Sequence, residues 1–179
     1  MKKILLGLLL LSSALSFGAT QRISLEKLET NESKDILYLA GTKTPYSGEA
    51  EIRYPSGQLL SVATFKNGKI NGKAYEYYES GQLKLEENYA NGKLNGLSKS
   101  YYENGQLQDE IPYKNDKKEG IEKSYDEKGK LIGTITFENN QIMEEVTYKD
   151  GKIIDRKAYP LGKDLENELL KNITPWQFH

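Results

Sequence analysis

Residues 76–107 read Glu-Tyr-Tyr-Glu-Ser-Gly-Gln-Leu-Lys-Leu-Glu-Glu-Asn-Tyr-Ala-Asn-Gly-Lys-Leu-Asn-Gly-Leu-Ser-Lys-Ser-Tyr-Tyr-Glu-Asn-Gly-Gln-Leu. One short motif occurs three times in this stretch: an aromatic, any residue, a small or polar residue, glycine, Gln or Lys, then Leu. It is seen at Tyr78–Leu83, Tyr89–Leu94 and Tyr102–Leu107. Upstream it recurs as Tyr54-Pro-Ser-Gly57-Gln-Leu59 and Phe65-Lys-Asn-Gly68-Lys-Ile70. Downstream, degenerate copies lie at 113–118, 126–131 and 137–142, and Tyr148-Lys-Asp-Gly151-Lys-Ile153 closes a set of nine. From residue 54 to 137 the motif's first positions are alternately 11 and 13 apart, so the full unit is 24 residues. Such a chain is an array of small units that stack on their neighbours, and arrays usually bind rather than catalyse.

Asn-Gly and Asp-Gly between runs rich in Tyr, Leu and Ile are a hairpin signal, because a type I′ turn needs positive φ at both central residues. The structural turn glycines are therefore Gly57, Gly68, Gly81, Gly92, Gly105, Gly129 and Gly151. Asp116 and Asn140 stand where a glycine is missing, and their side chains tolerate the left-handed region. A two-residue loop at Ser80-Gly81 places Tyr78 opposite Leu83, an aromatic–aliphatic cross-strand pair. Leu83 to Tyr89 and Leu94 to Tyr102 are even separations. Parity then puts the motif aromatics and their Leu or Ile partners on one face, expected to be packed. The predicted fold is all-β: an elongated antiparallel meander of repeated β-hairpins with a 24-residue period, about ten strands and roughly 50 Å long, with a short C-terminal helix. Pro112, Asp109 and Lys118 interrupt the pattern in the third unit and mark it as the weakest.

The opposite face carries the candidate site. Tyr77, Tyr101 and Tyr125 recur five residues after successive unit glycines, with Tyr75, Lys99 and Lys123 beside them. A row of Tyr with flanking Lys, repeating at roughly 10 Å, suits an extended partner such as a peptide or a glycan. The plainer account is that Tyr is a good strand residue.

The ends divide the chain further. Met1-Lys2-Lys3, the apolar run Ile4–Leu11 and small residues to Gly18 read as a signal peptide over 1–18. Cleavage there removes Lys2 and Lys3 and takes the formal charge from −1 to −3. Residues 19–35 read as a weakly ordered lead-in, 36–159 as the array, and 160–179 as a C-terminal helix and tail. Leu161, Leu165, Leu169 and Ile173 form the helix's apolar stripe. The expected location is bacterial and outside the cytosol, in the periplasm, at the surface or in the medium. An exported chain without cysteine suits that setting.

Composition narrows the chemistry. The single histidine is His179 and there is no cysteine, which disfavours cysteine hydrolases, internal Ser-His triads and His-based zinc sites. No catalytic residue, metal site or cofactor is expected. The slightly negative charge favours neither nucleic acid nor an anionic membrane, and no span is expected once the signal is cleaved.

The segments 76–84, 91–96 and 101–107 resemble the variant MORN repeat of bacteria, over residues 44 to about 153. That resemblance implies a β-hairpin array mediating protein contacts. Similar arrays occur as antitoxin components of toxin–antitoxin modules, the YwqK family. The expected function is an exported, non-enzymatic repeat protein binding a protein partner, a toxin or a surface protein. A wall or glycan binder using the Tyr row is the alternative, and a carboxylate-dependent hydrolase the remote one.

Overall fold

The computed structural model describes residues 22–30 and 36–159. The signal peptide expected over 1–18 and the helix expected over 160–179 lie outside them. In chain order the elements are β1 (Ile23–Ser24), a 3-10 turn (Leu25–Lys27), β2 (Leu28–Thr30), β3 (Leu37–Leu39), β4 (Gly48–Arg53) and β5 (Leu59–Lys66). Then come β6 (Lys69–Tyr77), β7 (Leu83–Ala90), β8 (Lys93–Leu94), β9 (Gly96–Tyr101), β10 (Leu107–Lys114) and β11 (Lys117–Lys118). The last four are β12 (Gly120–Tyr125), β13 (Leu131–Glu138), β14 (Gln141–Lys149) and β15 (Lys152–Ala158).

Ten of these strands form the expected meander, in the order β4-β5-β6-β7-β9-β10-β12-β13-β14-β15, with the short β8 and β11 pairing on β7 and β10. The segment read as a weakly ordered lead-in contributes pairing of its own. β1 lies parallel on the edge of β4, with Ile23 opposite Ala50. β2 pairs with β3, which docks through Leu37 N–H on the carbonyl of Gly68 (2.8 Å).

Two kinds of turn alternate along the array up to Asn139-Asn140, after which Asp150-Gly151 repeats the two-residue kind. At Asn67-Gly68 both residues have positive φ (51° and 77°), and Phe65 faces Ile70 across the hairpin, as a two-residue loop requires. Asn115-Asp116 and Asn139-Asn140 adopt the same geometry without glycine. The other kind departs from the sequence reading. At Tyr78–Gln82 only Gly81 has positive φ. Its N–H reaches the carbonyl of Tyr78 (2.8 Å), and Tyr78 N–H reaches that of Gln82 (2.8 Å). This is a three-residue loop, a type I turn closed by a left-handed glycine. Ser80 keeps ordinary φ, because only Gly, Asn or Asp enters the left-handed region cheaply. The register moves by one: Leu83 pairs with Tyr77, not Tyr78, and Lys84 is the bulged residue. The same shift recurs at Leu59, Leu107 and Leu131, which pair with Arg53, Tyr101 and Tyr125.

That shift redistributes the faces. Phe65, Tyr89, Tyr113 and Phe137 keep their partners Ile70, Leu94, Lys118 and Ile142. Leu59, Leu83, Leu107 and Leu131 move to the other face. The structure therefore corrects the expectation of one packed face. The buried apolar residues are split between both faces: Ala50 and Phe137 on one, Val62 and Val146 on the other. No described side chain falls below 2% exposure. Among the described residues the array is a single layer, and its core is the lateral contact of neighbouring side chains.

The third unit is not the break that its residues suggest. Pro112 stands opposite a widening of the ladder: β10 pairs with β12 at Asp109–Ser124 and Glu110–Lys123, then with β11 from Tyr113–Lys118. A missing N–H costs least at such a point. Thr64 holds the equivalent place in the first unit, where the register also shifts. Asp109 is flanked by two hydroxyl donors, Ser124 Oγ at 2.7 Å and Ser100 Oγ at 2.9 Å.

Candidate interaction face

Hydrogen bonds one unit apart in sequence hold the array in register. Tyr54, Tyr78 and Tyr102 donate their hydroxyls to the carbonyls of Tyr77, Tyr101 and Tyr125, each 23 residues further on, at 2.9, 2.7 and 2.9 Å. The two-residue turns are bound backwards in the same manner. The N–H groups of Gly68, Gly92, Asp116 and Asn140 donate to the carbonyls of Tyr46, Ile70, Leu94 and Lys118. Where glycine is absent, the turn side chain adds a second link: Asp116 Oδ1 accepts from Leu94 N–H (2.8 Å), and Asn140 Oδ1 from Lys118 N–H (2.5 Å).

On this frame the structure brings all six sequence-predicted site residues to one face. Tyr75, Lys99 and Lys123 belong to a single ladder crossing the whole sheet. Its members, from β4 to β15, are Glu51, Val62, Tyr75, Glu86, Lys99, Glu110, Lys123, Thr134, Val146 and Arg156. Tyr77, Tyr101 and Tyr125 form the adjoining row, alternating with Leu83, Leu107 and Leu131. All six tyrosine and leucine side chains of that row are half-buried. On the ladder's other side lie Leu97 and Ile121, at 39% and 51% exposure, with Pro112 opposite Leu97.

The electrostatics of this face are alternating rather than basic. Lys99 and Lys123 flank Glu110, at 3.4 and 3.7 Å. Lys73 holds Glu86 at 2.6 Å, and the hydrogen bond to that carboxylate raises the lysine's pKa above its ordinary value. Arg156 sits 3.3 Å from Glu144, and Arg53 2.8 Å from Glu51. Sequence reasoning named the lysines as site residues and took Glu86 and Glu110 for ordinary strand-surface carboxylates, although their 24-residue spacing was there to be read. It also missed the leucines, whose placement depends on the one-residue shift at each bulge.

The opposite face is quieter chemically. Tyr89 donates to Glu87 at 2.7 Å, and burial together with that bond pushes its phenol well above the usual range. Lys118 lies over the Phe137 ring, 4.7 Å from its centroid. No cluster of three or more His, Cys, Asp or Glu residues suited to a metal ion is found among the described residues. No described helix is long and apolar enough to cross a membrane.

A one-dimensional, hairpin-built array joined unit to unit by main-chain and tyrosine hydrogen bonds is a repeat scaffold. The MORN repeat variant matches it at residues 46–67, 70–91, 94–115 and 118–139, so the chain carries four tandem MORN repeats of the variant type. Each match begins at a residue whose carbonyl receives the next turn's N–H, namely Tyr46, Ile70, Leu94 or Lys118. None of the curated proteins matches the chain.

Proposed function

We propose that this chain is an exported, non-enzymatic interaction protein whose tyrosine-bearing face holds a protein partner. The observation that carries the reading is the Tyr–Leu strip beside a charged ladder, on a face that no described element covers. Half-buried aromatics set in an aliphatic row are rigid anchors, and alternating charges beside them confer register on a partner. The basic and apolar pattern of residues 1–18 supports export, and the resemblance to antitoxin arrays points to a toxin or surface protein as the partner.

The test compares wild type with the Tyr77→Ser/Tyr101→Ser/Tyr125→Ser variant in cross-linked capture from envelope fractions and medium. A specific protein captured by wild type should drop at least tenfold with the variant, while far-UV circular dichroism stays unchanged. Equal capture by both removes the tyrosine face from the reading. Retention on isolated wall polysaccharide, with no protein captured, replaces it with the glycan alternative. N-terminal sequencing of the exported form should begin near Ala19, and an intact Met1 in the cytosolic fraction ends the export claim.

A further inference from the structure

We infer that the partner fitting this face is a second copy of the chain, seated face to face about a two-fold axis that runs along the strands midway between Lys99 and Glu110. The inference rests on the tyrosine face being the interaction surface and names its occupant. A two-fold axis lying in the interface and parallel to the strands reverses strand order but keeps each residue's height along its strand, the condition for an isologous contact. The ladder can therefore be read against its own reverse.

The reading closes without a clash of sign. Lys99 meets the second copy's Glu110, and Glu86 meets its Lys123. Outside the charged centre, Tyr75 meets Thr134 and Glu51 meets Arg156, while Val62 and Val146, already buried within each sheet, fall in register without supplying contact. Five strands lie on each side of the axis, so the pairing uses the whole meander. The adjoining rows obey the same operation. Tyr101 falls on Leu107, Tyr125 on Leu83 and Tyr77 on Leu131, aromatic on aliphatic each time. On the far side Leu97 falls on Pro112.

The register is specific. Moving the axis by half a strand spacing, onto Glu110, sets that carboxylate on its own copy and Lys99 on Lys123. Moving it by one full strand spacing, midway between Glu110 and Lys123, sets Lys99 on Thr134 and Glu86 on Val146 and leaves both without a charged partner. Like charges brought together and charges left unpaired are what exclude wrong registers at an interface. Size agrees as well. Three side-chain rows across ten strands cover roughly 45 Å by 15 Å, of the order of 700 Å² per partner, near the ~800 Å² of ordinary stable complexes. The second sheet also supplies the layer that a single-layer array lacks.

Sedimentation of the purified chain tests this alone, with no other protein present. The expected mass is twice that of the chain at tens of micromolar, and a monomer overturns the inference. Two charge variants then locate the contact. Lys99→Glu/Lys123→Glu makes the central ladder acidic, and Glu86→Lys/Glu110→Lys makes it basic. Each alone should associate at least tenfold more weakly, and mixing the two should restore a dimer containing one of each. Dimers that persist in both separate variants place the contact elsewhere and overturn the inference. Should either double variant fail to fold, the single changes Lys99→Glu and Glu110→Lys take its place in the same mixing experiment. A monomeric wild type whose tyrosine variant still loses a captured protein would sink this inference and leave the function proposed above standing.

Discussion

Tyr78 donates its hydroxyl to the main-chain carbonyl of Tyr101, 23 residues away, at 2.7 Å. The bond joins the loop of one unit to the strand end of the next, and Tyr54 and Tyr102 repeat it. A 24-residue unit held in this way needs a phenol at that place. In the fourth unit Asp126 replaces it and turns inward, accepting from Lys128 N–H and Lys130 N–H of its own loop. Removing the Tyr78 hydroxyl as Tyr78→Phe should cost about 1 kcal/mol, the usual net worth of one such bond. Urea unfolding measures it, and a midpoint equal to wild type would show that the hydroxyl contributes nothing.

Turn glycines should differ in what they tolerate. A Cβ on Gly81 would meet nothing within 4 Å, so Gly81→Ala carries only the backbone strain, about 1 kcal/mol. A Cβ on Gly68 would run into the Ile36 side chain and the Leu37 carbonyl, the latter at 2.7 Å. Gly68→Ala should therefore cost about 2–4 kcal/mol, strain plus overpacking, and should loosen β3 from the array. Thermal denaturation of the pair decides it: equal losses would mean that β3 does not press on this turn.

In the sequence Asp116 stands where other turns have glycine, so that Asp116→Gly reads as neutral or mildly stabilising. The structure reverses that expectation, because Asp116 Oδ1 binds Leu94 N–H in the preceding unit. Asp116→Gly should cost about 1 kcal/mol, while Asp116→Asn should be nearly neutral, as Asn140 does the same work one unit later. A denaturation series in which the glycine variant is the most stable would restore the simpler reading.

Alkaline pH should weaken the array through Tyr89. Its folded phenol titrates above the ordinary value, so between the unfolded and folded pKa the unfolded chain releases a proton that the folded chain retains. Stability present below about pH 10 is then lost as pH rises further. Tyr89→Phe should flatten the alkaline limb of a stability–pH curve, and an unchanged slope would argue against this residue.

Much of this was written in the residues. The 24-residue period, the ten-strand meander and the left-handed Asn and Asp residues at the two-residue turns all follow from motif spacing. The turn classes were only half legible. Ser80 and Lys128 resist positive φ and betray a longer loop, but Asn104-Gly105 has the same dipeptide as Asn91-Gly92 and folds differently. What separates them is the ladder on either side, which a local reading does not contain. That one-residue difference carried four leucines to the other face. Asp109 misled for a related reason: its two serine partners are 9 and 15 residues away and become neighbours only across strands.

Backward links from four of the two-residue turns, and forward links from three of the tyrosines, join each repeat to the repeats beside it. Recombination between two copies of the coding segment would therefore delete or add a whole unit in frame, and the new junction would still find a carbonyl at the required place. The length of this protein is a quantity its gene can revise one hairpin pair at a time, without relearning how to fold.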